Sequence, residues 1–444
     1  MKLKPYYSTV LSELIVPCAA ALLAVGMQVR WPFVCLIIAA ALWVVVSSCL
    51  PSGLRKKYPG VFVIHDGCAL LRTYRMSILL HIVEFILLKI FFDMTLSPTL
   101  VFIGCAVAVG FAPALGGTLR LIFRCTQLSI GQRTALALLW WLPPLSFIAM
   151  RSCEKTAWLE FDRESARIEL DNVRAENEVC KTKYPILLVH GIFFRDLNFF
   201  NYWGRVPKEL IKNGATVYYG DQRSAASVEE CAGELKTKIE EIINATGCGK
   251  VNVIAHSKGG LDIRYAASCL GMNKYIASIT TINTPHKGCE YADFMIEHAP
   301  QAFLQFIAAR YNSALAHFGE NGADFSAGVS DLTAKRCAEL NKKAPLPEGV
   351  YCRSFGSYMK SRRSAGFPLN CSYLIAKLFS RSPNDGLVDL ESMRWGESFD
   401  IFEPKSKRGL SHGDMIDLFR EDISGFDVRE EYVNIVSSLK SKGF

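Results

Sequence analysis

The chain is 444 residues long, half of them apolar, with a formal net charge of +8. That length leaves room for two or three domains, and the apolar share excludes a disordered, solvating chain. The charge is uneven: residues 1–150 hold twelve lysines and arginines against four acids and the remainder is balanced, so the basic character belongs to the loops of an apolar region and does not point to nucleic acid.

Five apolar segments follow one another in that first region: Thr9–Val29, Trp31–Leu50, Met76–Met94, Leu96–Leu115 and Thr134–Met150. Each approaches the roughly 20 residues needed to cross a hydrocarbon core, and together they predict an integral, multi-pass membrane region over 1–150. The third contains His81, Glu84 and Lys89, which suit either a span packed inside a bundle or an amphipathic helix at the surface. The fifth is short and carries Pro143-Pro144. Basic clusters recur after every second span: Lys2 and Lys4, then Arg55-Lys56-Lys57 with Arg72 and Arg75, then Arg120, Arg124 and Arg133. The positive-inside rule then puts the N-terminus in the cytoplasm, and five spans put the C-terminal domain outside it. Residues 151–183 read as a charged tether with helix or hairpin character, and residues 184–444 as the C-terminal domain.

That domain opens with YPILLVHGI, Tyr184 to Ile192, a buried-strand run ending in a turn at His190-Gly191. A second strand, TVYYG, precedes a helix, VEECAGELKTKIEEIINATG, with apolar positions at helical spacing. Next, VNVIAHSKGGLDIRYAASCL reads as strand, sharp turn and helix with Ser257 at the apex. Small residues two before and two after the serine, Ala255 and Gly259, let strand and helix approach closely, the pattern of a nucleophile elbow. Ala255 stands where the G-x-S-x-G pattern has its first glycine, and taken alone the serine is equally well explained as a helix N-cap. Alternating strands and helices predict a mostly parallel sheet with Ser257 at its carboxyl edge. An amphipathic run, AFLQFIAARYNSALAHF, interrupts this pattern and predicts a helical cap over about 291–326.

Downstream, SPNDGLVDL places Asp385 in an Asn-Asp-Gly turn, and SHGDM places His412 after it. Of the eight histidines, His65 and His81 lie in the membrane region, His190 and His256 inside the two turn motifs, His286 in a TPHKG loop, and His298 and His317 in the cap, which leaves His412 as the best base. The chain order Ser257, Asp385, His412 is that of the elbow-type hydrolases and differs from the chymotrypsin and subtilisin orders. In such a site the backbone N–H groups of Ile192 and Lys258 form the oxyanion hole. The fifteen cysteines show no C-x-x-C pair or His/Cys cluster that would suggest zinc or a redox motif; pairs such as Cys231 with Cys248 or Cys337 with Cys352 are open to an oxidising compartment.

From about Tyr184 to its C-terminus the chain resembles the bacterial triacylglycerol lipase family of α/β-hydrolases. YPILLVHGI, ATGCGKVNVIAHSKGGLDIRYAAS, INTPHKG, SDLTAKRCAELNKKAP, NDGLV and SHGDM carry the resemblance, in the family's order. It implies an α/β-hydrolase fold with a helical cap, here preceded by an all-α transmembrane region. It also implies Ser257 as nucleophile, Asp385 as triad acid, His412 as base, Ile192 and Lys258 as oxyanion amides, and no cofactor. Two departures stand out. Lys258 occupies a position that is commonly Gln, Met or Leu, and a cation beside the nucleophile is expected to favour anionic substrates. Asp414 matches a calcium ligand of some members, but MKSRRSAGFPLNCSYLIAKLF contains no acid to partner it, so no metal is expected. The reading is a membrane-anchored serine ester hydrolase, a lipase or esterase, cleaving acyl esters of lipids through an acyl-enzyme. An acyltransferase with the same triad, or a non-catalytic α/β-hydrolase-like membrane protein, are the alternatives the sequence leaves open.

Overall fold

The computed structural model describes residues 6–26, 31–142, 144–192, 202–289 and 325–444, with residues 293, 294, 298 and 305. The expected cap lies almost wholly outside the described residues. The chain divides into two compact units, Met1–Val173 and Arg174–Phe444.

The first unit is helical: α1 (Tyr7–Ala24), α2 (Trp31–Cys49), α3 (Phe62–Phe91), α4 (Leu96–Arg124), α5 (Ile130–Leu139) and α6 (Leu145–Arg174). Three stretches, Tyr7–Ala24, Val34–Arg55 and Leu96–Arg124, are long and apolar enough to cross a membrane. Helices α3 and α4 approach closely because glycine faces leucine in both directions. A Cβ on Gly67 would come within 2.8 Å of Leu121, and one on Gly117 within 2.7 Å of Leu71.

The fifth expected span, Thr134–Met150, is not one helix: the chain breaks between α5 and α6, and Pro144, just before α6, has no backbone donor to give. The two helices instead form a hairpin, tied by the Gln132 side-chain amide, which donates to the Ser152 hydroxyl at 3.1 Å and the Thr156 hydroxyl at 2.9 Å. Residues 151–174, expected as a tether, are the continuation of α6, a single helix of 30 residues.

The second unit is a six-stranded, wholly parallel sheet in the order β2-β1-β3-β4-β5-β6. Its strands are β1 (Ile186–Val189), β2 (Val217–Tyr219), β3 (Val251–His256), β4 (Ile276–Ile282), β5 (Tyr351–Ser357) and β6 (Ser398–Phe402). The helices are α7 (Val206–Lys212), α8 (Val228–Thr246), α9 (Lys258–Cys269), α10 (Phe325–Ser330), α11 (Ala334–Lys343), α12 (Leu369–Phe379) and α13 (Val428–Ser441). Strands β1, β3 and β4 are buried throughout, as a parallel sheet covered on both faces requires.

Successive residues of β1 serve opposite faces. Ile186 and Leu188 pack with Trp203, Leu210 and Val433, whereas Leu187 and Val189 pack with Leu235, Ile239 and Ile263. The strand order reverses between β1 and β3, so the loops leaving these two neighbours diverge and open a crevice at their carboxyl ends.

Candidate active site

Ser257 links β3 to α9 with φ 56° and ψ −134°, a conformation a non-glycine residue adopts only where its surroundings enforce it. The enforcement is visible. Its N–H donates to the Ile282 carbonyl at 3.0 Å, and the two following glycines admit no side chain. A Cβ on Gly259 would sit 2.3 Å from the His190 carbonyl oxygen, and one on Gly260 would sit 2.1 Å from the Thr284 hydroxyl. The turn after β1 closes on the same point, because a Cβ on Gly191 would lie 2.7 Å from that of Ser257. Ile192, the next residue, is buried, and β1 and β3, which lead to Ile192 and to Lys258, are neighbours in the sheet.

Asp385 and His412 are brought together from loops after β5 and β6. The His412 Nδ1 lies 2.6 Å from Asp385 Oδ2, and its backbone N–H donates to the Asp385 carbonyl at 2.9 Å. The carboxylate is fully buried and saturated with donors. Oδ1 accepts the Leu387 and Val388 N–H groups at 2.9 and 2.8 Å, and Oδ2 accepts the Asn283 amide at 2.7 Å as well as the imidazole. A carboxylate so held can only accept, which puts the imidazole proton on Nδ1 and leaves Nε2 with a free lone pair. The His412 ring lies against that of His256, the residue before Ser257, with centroids 4.5 Å apart. Burial, reinforced by the charge His412 can carry, holds the His256 pKa well below the ordinary histidine value, so His256 is a neutral spacer whose Nδ1 lies 2.7 Å from the Tyr202 hydroxyl.

Asn283 is the site residue that sequence reasoning missed. It follows β4 with φ 49°, and its amide nitrogen also donates to the Ser357 hydroxyl at 2.7 Å. Its partner Asp385 is 102 positions away, and INTPHKG reads simply as a loop; a polar residue directly after a buried strand was the one signal available.

One expectation changes. The Lys258 side chain does not present a cation to substrate: it is 1% exposed and turned inward, with its ammonium 2.7 Å from Asp262 and 3.3 Å from the Cys231 thiol. Burial opposes its charge, but Asp262 and Cys231 outweigh it and raise the pKa above the ordinary lysine value. Asp414 accepts the Ser411 N–H at 2.8 Å and Arg408 at 3.2 Å, and so braces the histidine loop. All fifteen cysteines are free, and Cys231 and Cys337 are buried with hydrogen bonds of their own.

No family model matches the chain. It is 40% identical over 238 residues to a triacylglycerol lipase of Vibrio cholerae, covering 49% of this chain and 76% of that protein. It is 32% identical over 298 residues to a triacylglycerol lipase of Pseudomonas fragi, covering 60% of this chain and 99% of that protein. With a triacylglycerol lipase of Burkholderia plantarii the identity is 31% over 183 residues, 38% of this chain and 51% of that protein, so the chain spans about half the length of this relative.

Proposed function

This chain belongs to the triacylglycerol lipase family, and on that premise we propose that its second unit hydrolyses carboxylic esters of lipid acyl chains through Ser257, His412 and Asp385. The observation that carries the reading is the 2.6 Å contact between His412 Nδ1 and a buried, fully hydrogen-bonded Asp385, with the His412 ring packed on His256, the residue before a serine held at positive φ. In the proposed cycle His412 Nε2 takes the Ser257 proton as its oxygen attacks the ester carbonyl. The Ile192 and Lys258 N–H groups receive the negative charge on the carbonyl oxygen. Collapse breaks the bond to the alcohol, which leaves with the proton from His412, and an acyl-serine remains. Water, deprotonated by the same imidazole, attacks the acyl-serine, and the fatty acid leaves as Ser257 recovers its proton. Asp385 stays ionised and stabilises the imidazolium at each step. Ser257→Ala should abolish hydrolysis of a long-chain glyceride by the full chain in detergent while leaving its thermal unfolding unchanged; retention of most of the rate excludes this mechanism.

The same reading includes a membrane anchor. Alongside the three apolar helices, the second half of α3 exposes Leu79, Ile82, Ile86, Leu87, Ile90 and Phe91, and its His81 and Glu84 satisfy each other at 3.0 Å. Four crossings follow, by α1, α2, α3 and α4, which keeps Arg55-Lys56-Lys57 and Arg120-Arg124 on one side. The α5–α6 hairpin turns back with the Trp140 and Phe111 rings edge-to-face, at 5.2 Å between centroids, and on this reading adds no fifth crossing. The hydrolase unit then faces the cytoplasm, which replaces the extracytoplasmic placement expected from five spans.

A further inference from the structure

We propose that α12 and the loop before it form a docking face for an anionic phospholipid bilayer, next to the acid and base of the triad. The proposal deepens the ester-hydrolase reading by stating how substrate is presented. An 11-residue surface helix ordinarily buries one apolar stripe and shows water a polar one. This helix does the first: Leu369, Tyr373 and Ala376 are buried. It does not do the second, because Leu374, Ile375 and Leu378 on the opposite side are 45%, 41% and 81% exposed, and Phe367 just before the helix is 80% exposed. So concentrated an apolar patch marks a surface that water does not normally cover.

Charge identifies the occupant. Between Met359 and Asn384 the chain carries Lys360, Arg362, Arg363, Lys377 and Arg381 and no acid. Lys360 is held by the Pro404 and Ser406 carbonyls, but Lys377 and Arg381 flank the apolar positions of the helix along the chain, and apolar groups with neighbouring cations match the interface of a bilayer, where rings and aliphatic groups enter below the headgroups and cations gain from the anionic surface. A protein partner of opposite charge would need acids set among apolar groups, and nothing on this face selects for that. Position links the patch to chemistry. The inner end of the helix packs on both triad turns: a Cβ on Gly386, after Asp385, would lie 3.2 Å from the Leu369 carbonyl, and one on Gly413, after His412, would lie 3.7 Å from the Leu369 side chain. A bilayer seated on the outer face therefore lies over the turns that hold the acid and the base.

The test is photocrosslinking with Leu378→p-benzoylphenylalanine, and separately Phe367→p-benzoylphenylalanine, in the full chain carrying Ser257→Ala and reconstituted into phosphatidylcholine vesicles with or without phosphatidylglycerol. Because labelling needs no turnover, loss of hydrolysis and loss of docking are separate results. Irradiation should attach one phospholipid to the peptide bearing the probe, more strongly with phosphatidylglycerol, and Lys377→Glu with Arg381→Glu should lower that adduct about tenfold. The same probe at Ile211, an exposed apolar residue of α7, should give little. Lipid labelling no stronger than at Ile211, labelling indifferent to phosphatidylglycerol, or a crosslink to a second protein chain in place of lipid would each overturn the proposal.

Discussion

Asp385 accepts four hydrogen bonds in a site closed to water, and each fixes something different. The Leu387 and Val388 amides fix the turn, His412 meets the second oxygen, and the Asn283 amide donates to that same oxygen. Asn283 thus acts as a positioning residue whose amide sets the direction in which the carboxylate meets the imidazole. Its positive φ makes glycine the clean replacement, since alanine there adds strain of its own. Asn283→Gly should lower kcat about tenfold with KM unchanged, as expected for loss of one charge-assisted hydrogen bond. The same change in an Asp385→Ala background should cost almost nothing further. Equal losses in both backgrounds would assign Asn283 a purely structural role. Asp385→Asn keeps the shape but reverses the hydrogen-bonding logic towards His412, and kcat should fall by about four orders of magnitude. An undiminished rate would move the acid elsewhere.

At the scale of elements, the strand-turn-helix around Ser257 was legible because every component is local: a buried run, an apex, paired small residues. The joining of Asp385 to His412 was legible through chain order, the elimination of other histidines and the resemblance carried by NDGLV and SHGDM, since the contact itself spans two loops. Lys258 was misjudged because sequence places its backbone at the nucleophile but not its side chain, which follows the helix and meets Asp262 one turn on. The fifth expected span was drawn as one segment because hydropathy does not register the break between α5 and α6.

The elbow also makes a stability prediction. His256 and His286 are both buried, and burial first, with the neighbouring charges of His412 and Arg264 second, holds their pKa well below the ordinary 6.5. The unfolded chain takes up these protons near 6.5 and the folded one does not, so the contribution of the neutral rings is fully present above that pH and is lost as pH falls below it. Thermal unfolding of the full chain should therefore shift down between about pH 7.5 and about pH 5. In His286→Asn the shift should shrink, and an unchanged shift would exclude His286 from the effect.

For the molecule as a whole, one chain carries an apolar helical unit with basic loops and a parallel-sheet unit in which His412 meets Asp385 and packs on His256, the residue before Ser257. On the proposed four crossings both termini lie on the same side. An alkaline phosphatase fused after Phe444 in a bacterial host should therefore be inactive, and a fluorescent protein at the same point should mature; an active phosphatase would restore an odd number of crossings. The decisive measurement is labelling of the full chain with a fluorophosphonate, followed by mass spectrometry of its peptides. The adduct should fall on Ser257, and it should be nearly abolished by His412→Ala, because a serine without its base is a poor nucleophile. An adduct on a different serine, or labelling of Ser257 that is indifferent to His412, would contradict the assignment.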